Sequence, residues 1–567
     1  MVSLGSAPGK PAAAIRPLAL LRLDRWTLLS VGLAFLVALP VLVVLSSLLI
    51  PATDIWYHLA TTVLPRYLAN TAILMIGVGI GCTVIGVSCA WLVTMCQFPG
   101  ARLFEWAVLL PLAIPAYVIA YTYTGLLDYA GPIQSQLRAL GWLANNSRLP
   151  ELRSVGGAVV MLTLVLYPYV YLLARAAFLE QSVCVLEVGR TLGRTPWHCF
   201  TSIALPLARP GIIAGLALAL METLNDFGTV QYFAVDTFTT GIYRTWLGLG
   251  DVLAATQLAA VLLLFVILLI WLEKRSRGQA RFHHTTARYR PLPRYQLHRA
   301  RALAALVICG LPVVLGFVLP VIALAGWSLE SAAAGIDERF ISYARNSLLL
   351  AGIAAVLAVT LAVLIGYAKR FHGGGQVMRA LRIATLGYAV PGTVIAVGTL
   401  LPLSWIDQLL NSATHWLFDR GIGLLLSGTV FALIYAYLVR FLAVAANAVD
   451  ASLAKVTLSM DHAARSLGRT PWQTLRDVHA PIIRPSMISA GLLVFVDVMK
   501  ELPATLILRP FNMSTLAVEV HHLASDERLI EAAPGALVIV LVGIVPVILM
   551  SRLIARSRPG VRQQERA

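Results

Sequence analysis

Four carboxylates occupy places where carboxylates are expensive. Glu222 and Asp226, then Asp497 and Glu501, are spaced i, i+4 inside long apolar stretches and align with one another at an offset of 275 residues. Counted from Pro210 at about 1.5 Å per helical residue, the first pair lies roughly 18 to 24 Å into a membrane, past its midplane. Acids at such depth face a bundle interior or a water-filled cavity. Around a shared axis, four of them make an oxygen-rich path suited to a hard cation. The competing reading is that Lys500 and backbone groups neutralise them as structural fasteners, or that they emerge among the outer headgroups. Glu222, Asp226, Asp497 and Glu501 are the candidate pathway residues.

A second signal is a repeated polar segment before each acid pair. The first copy runs from Leu186-Glu187 through Leu192-Gly193-Arg194-Thr195-Pro196-Trp197 to Leu205-Pro206. The second runs from Asp461-His462 through Leu467-Gly468-Arg469-Thr470-Pro471-Trp472 to Ala480-Pro481. Both spell a helix-turn-helix: Gly193 and Gly468 can adopt the left-handed conformation that ends a helix, and Thr195 and Thr470 offer cap hydroxyls. Pro196 and Pro471 fit the first helical position, and Pro206 and Pro481 are expected to end the second helix before the chain re-enters the membrane.

The elements that position these residues are set by lipid. Of 567 residues 59% are hydrophobic and 13% charged, with a mean hydropathy of +0.80, which excludes an ordinary soluble enzyme. Twelve apolar stretches are expected to span, at about 27–50, 68–95, 103–126, 155–178, 209–231, 252–272, 303–327, 346–368, 381–403, 422–446, 485–507 and 534–555. The fold expected is all-α integral membrane, a multi-pass protein of the bilayer. Lys10, Arg16, Arg22 and Arg25 at one end, and Arg552, Arg556, Arg558, Arg562 and Arg566 at the other, put both termini in the cytoplasm.

The net charge of +17 raises nucleic acid as a partner, but the basic residues sit between spans without stacking aromatics, so no nucleic acid is expected. Lys274 to Arg301 is basic and carries no acid; it reads as a cytoplasmic tether, with anionic-lipid contact as the alternative. Cys82, Cys89 and Cys96 recur every seven residues, which suits small side chains at a helix contact better than a soft-metal ladder.

Self-comparison shows that the chain is duplicated. Tyr67 and Asn70 match Tyr343 and Asn346, Pro115 matches Pro391, and Tyr167 and Tyr169 match Tyr435 and Tyr437. Residues 1–273 form a first six-span unit with its loop at about 180–208, residues 274–302 a linker, and residues 303–567 a second unit with its loop at about 455–483. An even number of crossings separates the units, so a pseudo-two-fold axis along the membrane normal is expected. Pro115 and Pro391 mark bends beside a cavity, or plain kinks.

The spacing Glu-Ala-Ala, three residues, Gly, nine residues, Ile, one residue, Leu-Pro resembles the ATPase-docking loop of permease subunits of binding-protein-dependent ABC importers. The resemblance makes Glu187, Gly193, Arg194, Thr195, Pro196 and Trp197, and Asp461, His462, Gly468, Arg469, Thr470, Pro471 and Trp472, the docking residues. Departures occur: His462, with Asp461 beside it, stands where the family has Glu, Gly189 replaces Ala, and Ala480 replaces Leu. The second loop is therefore expected to couple differently or to respond to pH.

Gly5 to Lys10 has one residue too few between its glycines for a P-loop. The resemblance accordingly implies no cofactor in this chain, ATP and Mg bound by two copies of a separate ATPase subunit, and a periplasmic substrate-binding protein. It also implies a transport subunit, not an enzyme, in a bacterial inner membrane.

The strings Glu222-Thr223-Leu224-Asn225-Asp226-Phe227-Gly228 and Lys500-Glu501-Leu502-Pro503-Ala504-Thr505 resemble ferric-iron permeases within that superfamily, making the four acids transient ferric contacts. Permeases for thiamine, phosphonates or polyamines, and an ion-gradient transporter using the acids as a relay, are the alternatives. Thr239 to Asp251 and Ser514 to Asp526 are expected at the outer face, with His521-His522 in a solvated loop.

Overall fold

The computed structural model describes residues 25–51, 54–144, 149–179, 191, 193, 195–277, 294–333, 338–371 and 375–556. Among these, eleven helices are long and apolar enough to cross a bilayer, and one bent pair, Ala101–Ala113 with Ala116–Ala139, completes twelve crossings. The architecture is all-α, apart from a two-residue parallel ladder between Cys96–Gln97 and Tyr295–Gln296. That ladder docks the end of the basic linker on the first unit, where Arg294 donates to Glu105 at 3.3 Å beside Arg175 at 2.8 Å.

The third crossing is broken in both units for the same reason. Ile114 and Val390 precede proline and take extended backbone (ψ 126° and 128°), because a proline ring excludes the helical conformation from the residue before it. Each is preceded by a short 3-10 turn, and Pro115 and Pro391 then cap new helices, Ala116–Leu127 and Gly392–Phe418. In the first unit the two pieces meet at 89°.

The fifth crossing corrects two expectations. Its helices are not 209–231 and 485–507 but run from Trp197 to Asn225 and from Pro471 to Met499, so the second helix of each loop is continuous with the span. Pro206 and Pro481 do not end a helix. A wide π turn, Phe200–Ala204 or Leu475–His479, precedes each of them, and such a turn absorbs a residue that cannot donate without breaking the rod.

Spatial units differ from sequence units at the first helix of each half. Helix Arg25–Ser46 lies on the second unit, where Tyr435 donates its hydroxyl to Leu36 O and Gly398 meets the Pro40 carbonyl. Helix Ala300–Val313 and the π turn Val314–Val318 lie on the first unit, with Tyr123 donating to Leu315 O at 2.7 Å and Cys89 to Ile308 O at 3.6 Å, whereas the continuation Leu319–Ala333 packs on Leu529–Arg556 of its own unit. The repeated asparagines do matching work: Asn70 donates to Asp236 O and Asn346 to Ser514 O, each fastening a second crossing to the segment after the fifth.

A Cβ at Gly398 would sit 2.2 Å from the Pro40 carbonyl oxygen, so Gly398→Ala must push the first helix outward. We expect a loss of about 1–3 kcal/mol, typical of overpacking. A lowered melting temperature in detergent with faster proteolysis of the first helix checks it; unchanged values would mean that the first helix is not held there.

Candidate functional site

The acids converge at the ends of the fifth helices, Glu222 and Asp497 in the last turn and Asp226 and Glu501 just beyond it. Helix Leu205–Asn225 stops at Asp226, which is extended (ψ 130°), and helix Ala480–Met499 stops at Lys500, so neither pair lies on one helical face. The i, i+4 spacing spans a helix end and the start of a new short helix.

Asp226 and Glu501, equivalent in the repeat, are the fasteners. Asp226 accepts from Thr229 Oγ1 at 2.9 Å and from the Val230 amide at 3.1 Å. Glu501 accepts from the Ala504 and Thr505 amides, each at 3.0 Å, and from Thr505 Oγ1 at 2.6 Å. Each carboxylate thereby satisfies the orphan amides of the helix that follows, Gly228–Tyr232 or Pro503–Leu508.

Glu222 and Asp497, the other equivalent pair, face open space. With Tyr169, Tyr388, Asn225, Arg440 and Lys500 they line a cavity of about 110 Å³, which Asp226 and Glu501 also border while their carboxylates are engaged in the caps. Lys500 Nζ lies 3.0 Å from Asp497 Oδ1, within one unit. Arg440, from helix Val430–Leu453, reaches across: Nη1 donates to Glu501 at 3.0 Å, and Nη2 lies 3.8 Å from Glu222 Oε2 of the other unit. Asn225 accepts from the Gly392 amide at 2.7 Å, a second tie between units.

The polar loops meet the same fifth helices at their other end. Gly193 and Gly468 have φ of +75° and +74°, and Thr195 and Thr470 cap the helices that Pro196 and Pro471 open. Trp197 and Trp472 stand exposed at their tips, as do His462, Arg469, Thr470 and Pro471 in the second copy. Glu187 and Arg194 lie outside the described residues. Asp461 is not on the docking face. It is buried, accepting from Arg370 Nε at 2.8 Å and pairing with His479 Nε2 at 2.6 Å, while Arg370 also donates to Leu453 O and Val456 O.

The family description "Binding-protein-dependent transport system inner membrane component" matches residues 82–276. The chain is 30% identical over 531 residues to the Fe(3+)-transport system permease protein FbpB 2 of Haemophilus influenzae, covering 92% of this chain and 97% of that one. The chain belongs to the inner-membrane permeases of binding-protein-dependent ABC transport systems. It is also 24% identical over 471 residues to the ferric transport system permease protein FbpB of Actinobacillus pleuropneumoniae, covering 78% of this chain and 64% of that one. Over 205 residues it is 30% identical to the molybdenum transport system permease protein ModB of Escherichia coli, covering 34% of this chain and 87% of the relative.

Permeases of this kind are transport subunits, not enzymes, and this one is a multi-pass protein of an inner-membrane system. The family description covers a single unit, and this permease carries two in one chain. Sequence reasoning overlooked Arg440, Asn225, Tyr169 and Tyr388 as site residues. Arg440 carried its own signal, a lone cation in an apolar span, which requires a partner. Its counterpart in the first unit is Leu172, so the repeat comparison concealed it. His521 is also corrected: it is buried in helix Leu516–Ser525 between the rings of Tyr117 and Phe227, its Nε2 3.2 Å from Gln231 Oε1, not in a solvated loop.

The division of the acids is testable. Glu501→Ala leaves Arg440 without its nearest carboxylate and should cost about 3–5 kcal/mol. Asp226→Ala should cost about 1–3 kcal/mol. Glu222→Gln should leave thermal unfolding of the purified permease near wild type, while Asp497→Asn, which unpairs the half-buried Lys500, should destabilise less than Glu501→Ala. Both substitutions should lower uptake by the reconstituted complex. Equal destabilisation by all four substitutions would refute the division.

Arg370 and His479 hold the Asp461 carboxyl below the usual carboxylate range, although burial opposes them. Its contribution is therefore complete above about pH 4 and is lost only as pH falls through the depressed value. Hydrogen exchange of residues 458–466 should be insensitive to protonation of Asp461 between pH 5 and 8, and Asp461→Ala should speed it at pH 7. Exchange unaltered by that substitution would show that the Arg370 contact does not order the loop.

Proposed function

We propose that this permease forms the membrane path of an ATP-driven importer that carries ferric iron into the cytoplasm by alternating access. The observation that carries the reading is the cavity itself: Glu222 and Asp497 face it from equivalent positions at the ends of the two fifth helices, and oxygen donors suit a hard trivalent ion. The ferric names of relatives aligned along most of the chain favour iron over thiamine, phosphonates or polyamines.

Two ATPase subunits, which bind ATP and Mg, dock on the exposed tips around Trp197 and Trp472, and a periplasmic binding protein delivers iron at the opposite face. The continuous rods from Trp197 to Asn225 and from Pro471 to Met499 support this assignment, since a push at the loop reaches the cavity without a hinge. Both termini lie in the cytoplasm, on the side of the docking loops and the basic linker.

The complex of permease, ATPase and binding protein in proteoliposomes should take up iron only with internal ATP, and a protonophore should leave uptake unchanged. Replacing Gly193-Arg194-Thr195-Pro196 and Gly468-Arg469-Thr470-Pro471 by flexible residues should abolish stimulation of ATPase activity by the iron-loaded binding protein. Stimulation that survives both replacements would overturn the docking assignment, and uptake that collapses with the proton gradient would overturn the ATP-driven one.

A further inference from the structure

Arg440 is a buried cation on a membrane-spanning helix, and what it touches defines it. Its side chain is 7% exposed, and its Nε, buried, has no hydrogen-bond partner. The guanidinium also lies 5.2 Å from the centre of the Phe441 ring. Its remaining nitrogens reach Glu501 in its own unit and Glu222 in the other.

The surroundings are shaped to admit it. A Cβ at Gly392 would lie 2.8 Å from both Arg440 Nη1 and Glu501 Oε1, so only glycine leaves room for the pair. The repeat does not require the arrangement, because Leu172 occupies the equivalent place and Lys500 neutralises Asp497 locally. The bridge between units exists on one side only.

We infer that Arg440 is a tethered counter-cation that holds the carboxylate site of the closed permease and is displaced by the incoming cargo. The identity of that cargo rests on the ferric reading above; the counter-cation role does not.

The two carboxylates that Arg440 bridges are held unequally. Glu501 keeps three hydrogen bonds from Ala504 and Thr505 when Arg440 leaves, so it stays in place. Glu222 keeps only a 3.4 Å contact from Asn225, and it moves with the first unit. A multiply charged ion attracts the same carboxylates in proportion to its charge and outcompetes a guanidinium, whereas a monovalent ion does not. Displacement of Arg440 thus selects for charge and, in the same event, releases an ion pair that ties the two units.

The test uses the full complex in proteoliposomes without ATP. Entry of Mn²⁺, read by quenching of trapped calcein, is compared with efflux of trapped sucrose. With the counter-cation removed in R440Q, passive Mn²⁺ entry should rise at least about tenfold while sucrose stays inside, and R440K should remain near wild type. G392A, which keeps every charge but crowds Arg440 out of place, should raise Mn²⁺ entry in the same way and serves if R440Q does not assemble.

Wild-type Mn²⁺ entry in the assembled variants, or Mn²⁺ and sucrose rising together, would overturn the proposal. ATP-driven ⁵⁵Fe uptake from the iron-loaded binding protein by the wild-type complex is measured alongside. Its absence, with the R440Q leak present, would remove the ferric reading and leave the counter-cation standing.

Discussion

At the end of each fifth helix a carboxylate accepts hydrogen bonds from the backbone of the short helix that follows, and the cavity exists because of those two stops. Asp226 and Glu501 give the chain a stable way to leave the helical path in an apolar interior, where free amides would otherwise be costly. The break turns the preceding acids, Glu222 and Asp497, toward open space instead of into a packed helix contact. The break at Pro115, and Tyr388 in the short turn before Pro391, bound the same space from the third crossings.

The same fifth helices reach the cytoplasmic loops without interruption, so the two ends of the mechanism share one rigid element. A π turn ahead of Pro206 and Pro481 keeps the rod whole. The second rod is also tied sideways, through His479 and Asp461 to Arg370 on the second crossing of its unit. The first unit has Ala204 where the second has His479, so it lacks this tie. Inequality between the loops therefore extends beyond the exposed residue His462 to a buried network, and the cavity shows a matching inequality in Arg440. Two units that began as copies have become distinct at both ends of the rod.

Much of this was legible in the residues. Hydrophobic runs located the crossings, and the turn chemistry of Gly-Arg-Thr-Pro located the elbows, because both depend on neighbours in the chain. The third crossing of the second unit is an exception: it runs Gly392–Phe418 and not 381–403, because Pro391 starts its helix. The boundaries of the fifth crossings were misplaced by about a dozen residues at the start, since a proline in the sequence reads as a stop unless the wide turn before it is known. The acids were found, but their roles were not separated, since i, i+4 spacing describes a face only while the helix continues. Asp461 was assigned to the docking surface for want of any local sign that Arg370, ninety-one residues away, would bury it.

What the sequence determined by itself was everything set by local spacing and by lipid: an all-α membrane chain, its duplication, the paired elbows and the four acids that matter. What only the tertiary structure decided was everything set by contact between distant segments. It packed the first helix of each half on the other unit, and of the four acids that border the cavity it engaged two in capping and left two uncapped. It also placed Arg440 between Glu222 and Glu501 across the unit boundary. The physical reason is the same in each case. A helix period records which residues share a face, whereas the partner of a buried charge is chosen by the packing of the whole bundle.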